Sequence, residues 1–476
     1  MNHENQANRE SIIYSANHLR WEVGENLHDT LMESIYEHAT KIANKVVSYP
    51  ESKKVFSFDQ TLDKILTSKY FGFPIMLLML GVVFWVTIEG ANLPSSFIAS
   101  ILVDTIHPFL KDITSSFLPW WLSGVLIDGA YLAMAWVVSV MLPPMAIFFP
   151  LFTLLEDFGY LPRVAFNMDP LYKKVGAHGK QALTMAMGFG CNAAGVIAAR
   201  VIDSPRERLI AIITNNFSLC NGRWPTQILI STIFIGGLAP AYLAGLVSAA
   251  AVVFVAVLGI IFSLIVSWAL SKTALKGEAS AFSLELPPYR PPRILKTIYT
   301  SLIDRTLFVL WRAVVFSLPA GMVIWLVANI TIDGGSLANH FINWINPFAF
   351  IVGLNGVIFL AYIIAIPANE IVIPTILMLT VANLGLNEIG AGSGVMFELD
   401  SVNDTAQILY AGGWTLLTGI NLMLFSLLHN PCSTTIYTIY KETRSVKWTL
   451  ISIFLPIAMG ITITFFVTQI WRILAN

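Results

Sequence analysis

The sequence has 476 residues, of which 56% are hydrophobic and only 12% are charged. Soluble globular domains carry about 25% charged residues, so this composition excludes water as the main solvent of the chain. The formal net charge of −1 excludes the strongly basic surface that a nucleic-acid partner would require. Apolar runs of 18 or more residues recur along most of the chain, and we therefore predict an all-α, polytopic helical membrane protein in a lipid bilayer.

Residues 1–69 form a polar N-terminal segment that lacks the apolar core of a secretory signal peptide. Within this segment, Leu27, Leu31, Ile35 and Ile42 follow roughly helical spacing. The pattern favours a surface helix that lies on the membrane domain. The alternative is a docking segment for a cytoplasmic partner.

Ten apolar segments follow the N-terminal segment. They cover residues 71–91, 122–154, 181–199, 209–235, 238–270, 306–330, 348–366, 371–384, 408–428 and 450–473. Lys and Arg concentrate in the connecting loops 155–180, 271–305 and 429–449, whereas 331–347 and 385–407 contain neither residue. The positive-inside rule therefore predicts that the three basic loops and the N-terminus are cytoplasmic.

The loop charges also suggest how the chain is divided. The predicted parts are a cytoplasmic helical segment (1–69), a first membrane half (70–270), a cytoplasmic linker (271–305) and a second membrane half (306–476). Lys180 and Arg200 flank segment 181–199, so both ends of this segment are expected on one side of the membrane. The resulting topology has nine full spans, one re-entrant segment and an external C-terminus.

Each membrane half contains two apolar segments that are interrupted by Gly, Asn or Pro. The interruptions read MGFGCNAAG (187–195), CNGRWP (220–225), IPANEIVIP (366–374) and HNPCSTT (429–435). Irregular backbone is tolerated at membrane depth only where it is buried in protein or lines a wet cavity. Because paired interruptions in two halves point to a transporter's substrate site, we predict two gate-like repeats with broken or re-entrant helices.

All three cysteines of the chain lie at these interruptions, and each has an asparagine within two residues. The pairs are Cys191 with Asn192, Cys220 with Asn221, and Cys432 with Asn430. A single cysteine in such a place is more often a small buried hydrophobic residue. The presence of all three cysteines at such interruptions favours a path for a divalent metal ion. Thiolates bind softer metals, and amide oxygens add harder ligands.

Three charged residues are further candidates. Glu370 lies between two apolar runs, where a carboxylate is a functional hypothesis by default, although Pro367 and Pro374 are also compatible with a turn at the interface. Arg223 is a gating candidate or a topological anchor, and Asp128 is an interface carboxylate with the same two interpretations.

The sequence contains no enzymatic motif that we recognise. HExxH, GxSxG and the phosphate-binding GxxxxGK[ST] pattern are missing, so we predict that the chain has no catalytic residues and binds no nucleotide. Two alternatives to metal transport stay open at this point. One is a carrier for a nucleoside-like organic solute, and the other is a membrane partner of a GTPase that transports nothing.

An ordered set of motifs over about residues 30–474 resembles the membrane part of the bacterial ferrous-iron transporter B (FeoB-type) family. The motifs are LEDFGYLPRVAFNMD (155–169), GFGCN (188–192), DSPRERL (203–209), FSLCNGRWPT (217–226), LELPPYRPP (284–292), IPANE (366–370) and NPCSTT (430–435). The resemblance implies Fe²⁺ import across a bacterial inner membrane by two pore-and-gate halves. It also implies that Cys191, Cys220 and Cys432 line the pore, and that Glu370 is the family's second-half carboxylate. Asn369 stands where the family pattern has Lys, which makes it a gating or structural candidate.

Members of this family usually begin with a GTP-binding domain, which this sequence does not contain. We consider three interpretations: a separate GTP-binding protein that docks on the N-terminal segment, a membrane-domain fragment, or a paralogue that works without GTP. A homo-oligomer is a further expected assembly.

Overall fold

The computed structural model describes residues 27–46, 58–68, 70–276, 289, 293–332, 335–385, 395–399 and 401–475. This part of the chain is almost entirely helical, apart from one hairpin of two-residue strands, β1 (Thr331–Ile332) and β2 (Gly335–Ser336). The helices are α1 (Leu27–Val46), α2 (Phe58–Leu66), α3 (Gly72–Ser115), α4 (Trp120–Phe158), α5 (Tyr160–Lys174), α6 (Gln181–Gly190), α7 (Asn192–Ala198), α8 (Pro205–Thr214), α9 (Trp224–Ile230), α10 (Ala241–Lys272), α11 (Ile294–Asn329), α12 (Leu337–Ile351), α13 (Gly356–Ile364), α14 (Val372–Leu384), α15 (Val402–Ala411), α16 (Leu416–Leu428), α17 (Ser433–Thr443) and α18 (Val446–Ala475). The predicted all-α polytopic membrane fold is confirmed.

Among the described residues, five helices are long and apolar enough to cross a membrane, namely α3, α4, α10, α11 and α18. Two further pairs would each form one bent span: α12 with α13, at 112°, and α15 with the helix that begins at Leu416, at 107°. Five to seven spans are fewer than the nine predicted from loop charge. Two predicted segments account for the difference from seven: 209–235 is divided by the second of the helix breaks described below, and 371–384 forms a helix too short to be counted as a span.

Helices α3 and α4 form a hairpin that is longer than a membrane is thick. Forty-four residues of α3 extend about 66 Å, against a hydrocarbon core of about 30 Å. Asp128 in α4 links the two helices through two residues of α3. Its Oδ1 lies 2.9 Å from His107 Nε2, and its Oδ2 lies 3.0 Å from Lys111 Nζ. The structure therefore gives the buried Asp128 a bridging position within this hairpin.

Each membrane half contains two broken helices. The first break is at Cys191 between α6 and α7, the second covers 215–223 between α8 and α9, the third covers 365–371 between α13 and α14, and the fourth covers 429–432 between α16 and α17. The backbone angles of the two halves match: φ and ψ are −153° and 121° at Cys191 and −151° and 122° at Ala368. They are −74° and 166° at Cys220 and −64° and 159° at Cys432. The chain thus repeats the same pair of breaks, as the paired interruptions predict.

The predicted division of the chain stays a prediction. Of the N-terminal segment, residues 1–26, 47–57 and 69 lie outside the described residues. Of the predicted linker, 277–288 and 290–292 lie outside them, and α11 already begins at Ile294.

A clamp of three residues holds α2 against the membrane domain. Asp63 in α2 accepts hydrogen bonds from Arg163 Nε in α5, at 3.0 Å, and from the Tyr289 hydroxyl, at 2.7 Å. The Arg163 guanidinium also lies 4.1 Å from the centre of the Tyr289 ring. Burial raises the pKa of Asp63, but the hydrogen bonds from Arg163 and Tyr289 and the charge of Arg163 outweigh it, so the pKa falls below its ordinary value of 3.8.

Replacing Asp63 by Asn is expected to lower the free energy of unfolding by about 1 kcal/mol near neutral pH, since the pair is partly exposed. A carboxylate with a lowered folded-state pKa stabilises the protein above its unfolded-state pKa and loses that contribution as the pH falls through the folded-state pKa. Thermal unfolding of the detergent-solubilised protein between pH 7 and pH 3 measures both effects. Asp203→Asn is the matched control, because its pair with Lys180 is far more exposed. An equal loss in the two variants would contradict the clamp.

Candidate functional site

The four breaks meet at one small cavity with a volume of about 30 Å³. All three cysteines, Cys191, Cys220 and Cys432, line this cavity, which we call the cysteine cavity. A single water needs roughly 10–15 Å³ of such space, so the cavity has room for a water or a dehydrated metal ion.

Four more of the residues singled out in the sequence line the same cavity: Asn192, Asn221, Asn369 and Glu370. The structure does not bring Asn430 to this lining. Its side-chain amide instead donates to the Pro431 carbonyl, at 3.2 Å.

The first break is fixed by a buried asparagine that sequence reasoning did not identify. Asn215 Nδ2 donates to the Asn192 carbonyl at 2.9 Å, and its side chain fits between Gly188 and Gly195. A methyl group at either glycine would overlap the Asn215 amide. The two glycines flanking the Gly-Cys-Asn motif therefore permit the close packing that orients Cys191.

The side chain of Asn192 is held by the same break. An orientation in which its amide nitrogen donates satisfies the carbonyls of Gly188, at 2.9 Å, and Ser218, at 3.2 Å. In this orientation Oδ1 is the remaining acceptor, and an amide oxygen is a suitable ligand for a divalent cation.

The second and third breaks touch directly through Gly222 and Glu370. A methyl group at Gly222 would overlap Glu370 Oε1, so only a glycine allows the carboxylate to approach this closely. One half of the chain thus contributes the backbone turn and the other half contributes the carboxylate. A cation in the cavity would contact both halves at once.

A hydrogen-bonded chain supports Cys220 from the second half. Asn369 Nδ2 lies 3.8 Å from Cys220 Sγ, and Asn369 Oδ1 lies 3.0 Å from His429 Nε2. His429 Nδ1 lies 2.9 Å from the Ser426 carbonyl, and the imidazole packs edge-on against Tyr362 at 4.7 Å between ring centres. Sequence reasoning missed His429, although a histidine in an apolar run three residues before Cys432 was an available signal.

Arg223 is buried and holds the second break to the fourth. Its guanidinium donates to the carbonyls of Asn216 and Leu427, each at 3.0 Å, and lies within 3.4 Å of those of His429 and Asn430. Three of these carbonyls belong to the end of α16 and the turn after it, where a helix leaves its carbonyls unpaired and favours a positive charge. The arrangement makes Arg223 a cap for the fourth break.

No preformed metal centre is present in the described part of the chain: it contains no group of three or more His, Cys, Asp or Glu side chains placed to hold one ion. The cysteine cavity therefore differs from a structural zinc site, which uses four close ligands. Thiols, amides and one carboxylate around one small space suit an ion that binds and leaves, because conduction requires sites of limited affinity.

Comparisons with known proteins identify the chain's relatives. A family model described as "Gate: Nucleoside recognition" matches residues 138–235, and one described as "Ferrous iron transport protein B C terminus" matches residues 252–305. The chain is similar to the Fe(2+) transporter FeoB of Staphylococcus aureus (strain MSSA476), with 30% identity over 459 residues that cover 92% of the chain and 63% of the relative. It is 26% identical to the Fe(2+) transporter FeoB of Campylobacter jejuni over 463 residues, which cover 93% of the chain and 70% of the relative.

A third relative is the Fe(2+) transport protein A/Fe(2+) transporter FeoB fusion protein of Porphyromonas gingivalis, which is 24% identical over 465 residues, covering 88% of the chain and 52% of the fusion. No solved structure gives a significant match. The chain spans less than two thirds of the length of the Staphylococcus aureus relatives. The two family matches, and relatives that align with nearly the whole chain, support an FeoB-type membrane domain.

Proposed function

We propose that the chain carries Fe²⁺ across a lipid bilayer through the cysteine cavity. The observation that carries the proposal is the grouping of three thiols, one carboxylate and three side-chain amides around about 30 Å³ of free space at the meeting point of four helix breaks. The name Fe(2+) transporter borne by the relatives supports Fe²⁺ as the cargo.

The mixture of ligands suits a divalent transition metal. Thiolates favour softer metals and carboxylate or carbonyl oxygens favour harder ones, so this set can bind an ion of intermediate softness. A thiol must lose its proton to become a ligand, so the arriving ion displaces protons from the cysteines.

Nucleoside transport is the second candidate, because the Gate match carries the description "Nucleoside recognition". Sites for organic ligands usually enclose about 300–1,000 Å³. The cysteine cavity is roughly a tenth of the lower limit, so its size favours a metal ion over a nucleoside.

We also infer that the chain lies in a bacterial inner membrane with a cytoplasmic N-terminus, acts as a transporter and not as an enzyme, and works with a GTP-binding protein from another chain. The basic loops support the orientation.

Docking of the GTP-binding protein is placed on α1, along which Leu31, Ile35 and Ile42 are about half exposed. If cross-linkers placed on α1 captured no GTP-binding protein in native membranes, the docking proposal would be wrong. A homo-oligomer stays a prediction.

Fe²⁺ uptake into proteoliposomes tests the proposal. The triple variant Cys191→Ser, Cys220→Ser and Cys432→Ser is expected to lower uptake at least about tenfold, because a hydroxyl is a poorer metal ligand than a thiolate. Ser317→Ala is the control, since Ser317 is buried in α11 outside the cavity and its loss should leave uptake unchanged. Unaltered uptake in the triple variant would contradict the thiol path, and loss of nucleoside uptake on Asn192→Ala alone would favour the organic solute.

A further inference from the structure

A larger cavity, which we call the vestibule, lies on the side of the molecule predicted to be cytoplasmic. Its volume is about 560 Å³, which is the size of a site for an organic ligand. Val309 in α11 lines both the vestibule and the cysteine cavity, so the two spaces are neighbours. If the proposed Fe²⁺ path continues on this side, the vestibule is the next space that the ion enters.

Two ion pairs inside the vestibule join separate elements. Arg200 Nη2 lies 2.6 Å from Glu442 Oε1, and Arg200 Nε lies 2.8 Å from Glu442 Oε2, so the pair is bidentate and connects the two halves. Arg305 Nη2 lies 3.6 Å from Glu156 Oε2. These pairs neutralise two of the four cations that line the vestibule.

The other two cations, Arg312 and Lys441, form no ion pair with a described carboxylate. Asp304, the remaining acidic residue in the lining, offsets only one of these two charges. The vestibule therefore carries an excess of one positive charge. That sign is unexpected on the exit route of a divalent cation, because like charges repel in a space with low-dielectric walls.

Arg312 is arranged as a receptor for a planar or branched anion. Its guanidinium lies 4.1 Å from the ring centre of Phe308 and 5.2 Å from that of Tyr437, and Nη1 donates to Thr438 Oγ1 at 3.3 Å. Ring faces hold a guanidinium in place without neutralising it, and the planar fork of donors matches carboxylate and phosphate oxygens. Arg312 also lies one helical turn from Val309 in α11.

We propose that the vestibule binds a small organic or inorganic oxyanion with several carboxylate or phosphate groups, which docks on Arg312 and Lys441 and receives the ion that leaves the cysteine cavity. The anion binding stands on the vestibule alone, whereas the transfer step rests on the proposed Fe²⁺ transport. The bound anion reverses the sign of the local charge and offers hard oxygen ligands, which Fe²⁺ accepts. No bond other than metal–ligand bonds forms or breaks.

Equilibrium dialysis of the purified chain with citrate, and separately with pyrophosphate, tests the binding without metal. We expect saturable binding of at least one probe, and the probe that binds identifies carboxylate or phosphate as the preferred oxyanion. Arg312→Gln should weaken that binding at least about tenfold, which corresponds to the loss of one charge-assisted pair. Arg472→Gln is the control, because Arg472 contacts only the Phe350 carbonyl among its described contacts and lies outside the vestibule.

The triple cysteine variant separates this proposal from the transport proposal. It should bind the probe like the original chain even though its Fe²⁺ uptake is lowered, and probe inside vesicles should accelerate Fe²⁺ uptake by the original chain but not by Arg312→Gln. Absence of saturable binding of both probes, or binding that Arg312→Gln leaves intact, would overturn the oxyanion site whatever the outcome for transport. Binding without acceleration would overturn the transfer step.

Discussion

Replacing Glu370 by Gln is expected to lower the rate of Fe²⁺ uptake at least about tenfold, while leaving the thermal stability of the protein nearly unchanged. Glu370 is the one carboxylate among the described residues that line the cysteine cavity. It is therefore the one side chain in that lining that supplies carboxylate oxygens as ligands. A divalent ion in a low-dielectric site is strongly stabilised by a carboxylate ligand, and a neutral amide replaces that ligand poorly.

Stability should be preserved because Gln keeps the shape of Glu370 against Gly222. None of the ion pairs formed among the described residues involves Glu370, so the change leaves no partner cation unpaired. Proteoliposome uptake over a range of Fe²⁺ concentrations measures the effect, and Glu370→Asp should retain part of the rate. Glu89→Gln is the matched control, since Glu89 is an exposed carboxylate on α3 outside the cavity. Uptake by Glu370→Gln at the original rate would show that the carboxylate takes no part in transport.

The helix breaks were predictable because their cause is local. Gly190 and Cys191, and likewise Asn430 and Pro431, interrupt runs of strongly apolar residues, and such interruptions are rare in lipid unless the backbone lines a cavity. The same local chemistry singled out the cysteines and Glu370 as candidates. Local sequence does not show which neighbour of a cysteine faces the cavity. The Asn430 side chain, for example, donates to the carbonyl of the adjacent Pro431 instead of lining the cavity.

The features that were not predictable depend on contacts between distant parts of the chain. His429 matters because Asn369, sixty positions earlier in the sequence, lies beside it, and Asn215 matters because it fits between Gly188 in α6 and Gly195 in α7. The bend between α12 and α13 involves a more local contact, in which Asn346 Oδ1 accepts a hydrogen bond from the Gly356 amide at 2.7 Å within an apolar stretch. Hydropathy therefore overestimates the number of complete spans in a chain that folds back inside the membrane.

Replacing Arg223 by Gln is expected to lower the free energy of unfolding by about 3 kcal/mol and to abolish most Fe²⁺ uptake. Two effects oppose each other at this residue. Removing a buried guanidinium that pairs with no described carboxylate relieves its desolvation, but it leaves the carbonyls of Asn216, Leu427, His429 and Asn430 without their donor. Each buried orphan carbonyl costs about 1–3 kcal/mol, and two of the four bonds are as short as 3.0 Å, so the loss should outweigh the relief.

The lost hydrogen bonds should destabilise the fourth break most, because three of the four carbonyls lie there. Cys432, which is half-buried at the start of α17, should therefore react faster with a maleimide in the Arg223→Gln variant, even under conditions where the rest of the protein stays folded. Arg223→Lys should have a stability and a Cys432 labelling rate between those of the original chain and Arg223→Gln. An ammonium retains the charge but cannot span all the carbonyls. Arg472→Gln removes an exposed arginine that also contacts a helix-end carbonyl, and it should change stability by less than about 0.5 kcal/mol. If Arg223→Gln matched the original chain in both melting temperature and Cys432 labelling, the guanidinium would not be the cap that joins the two halves, and the cysteine cavity would have to keep its shape by packing alone.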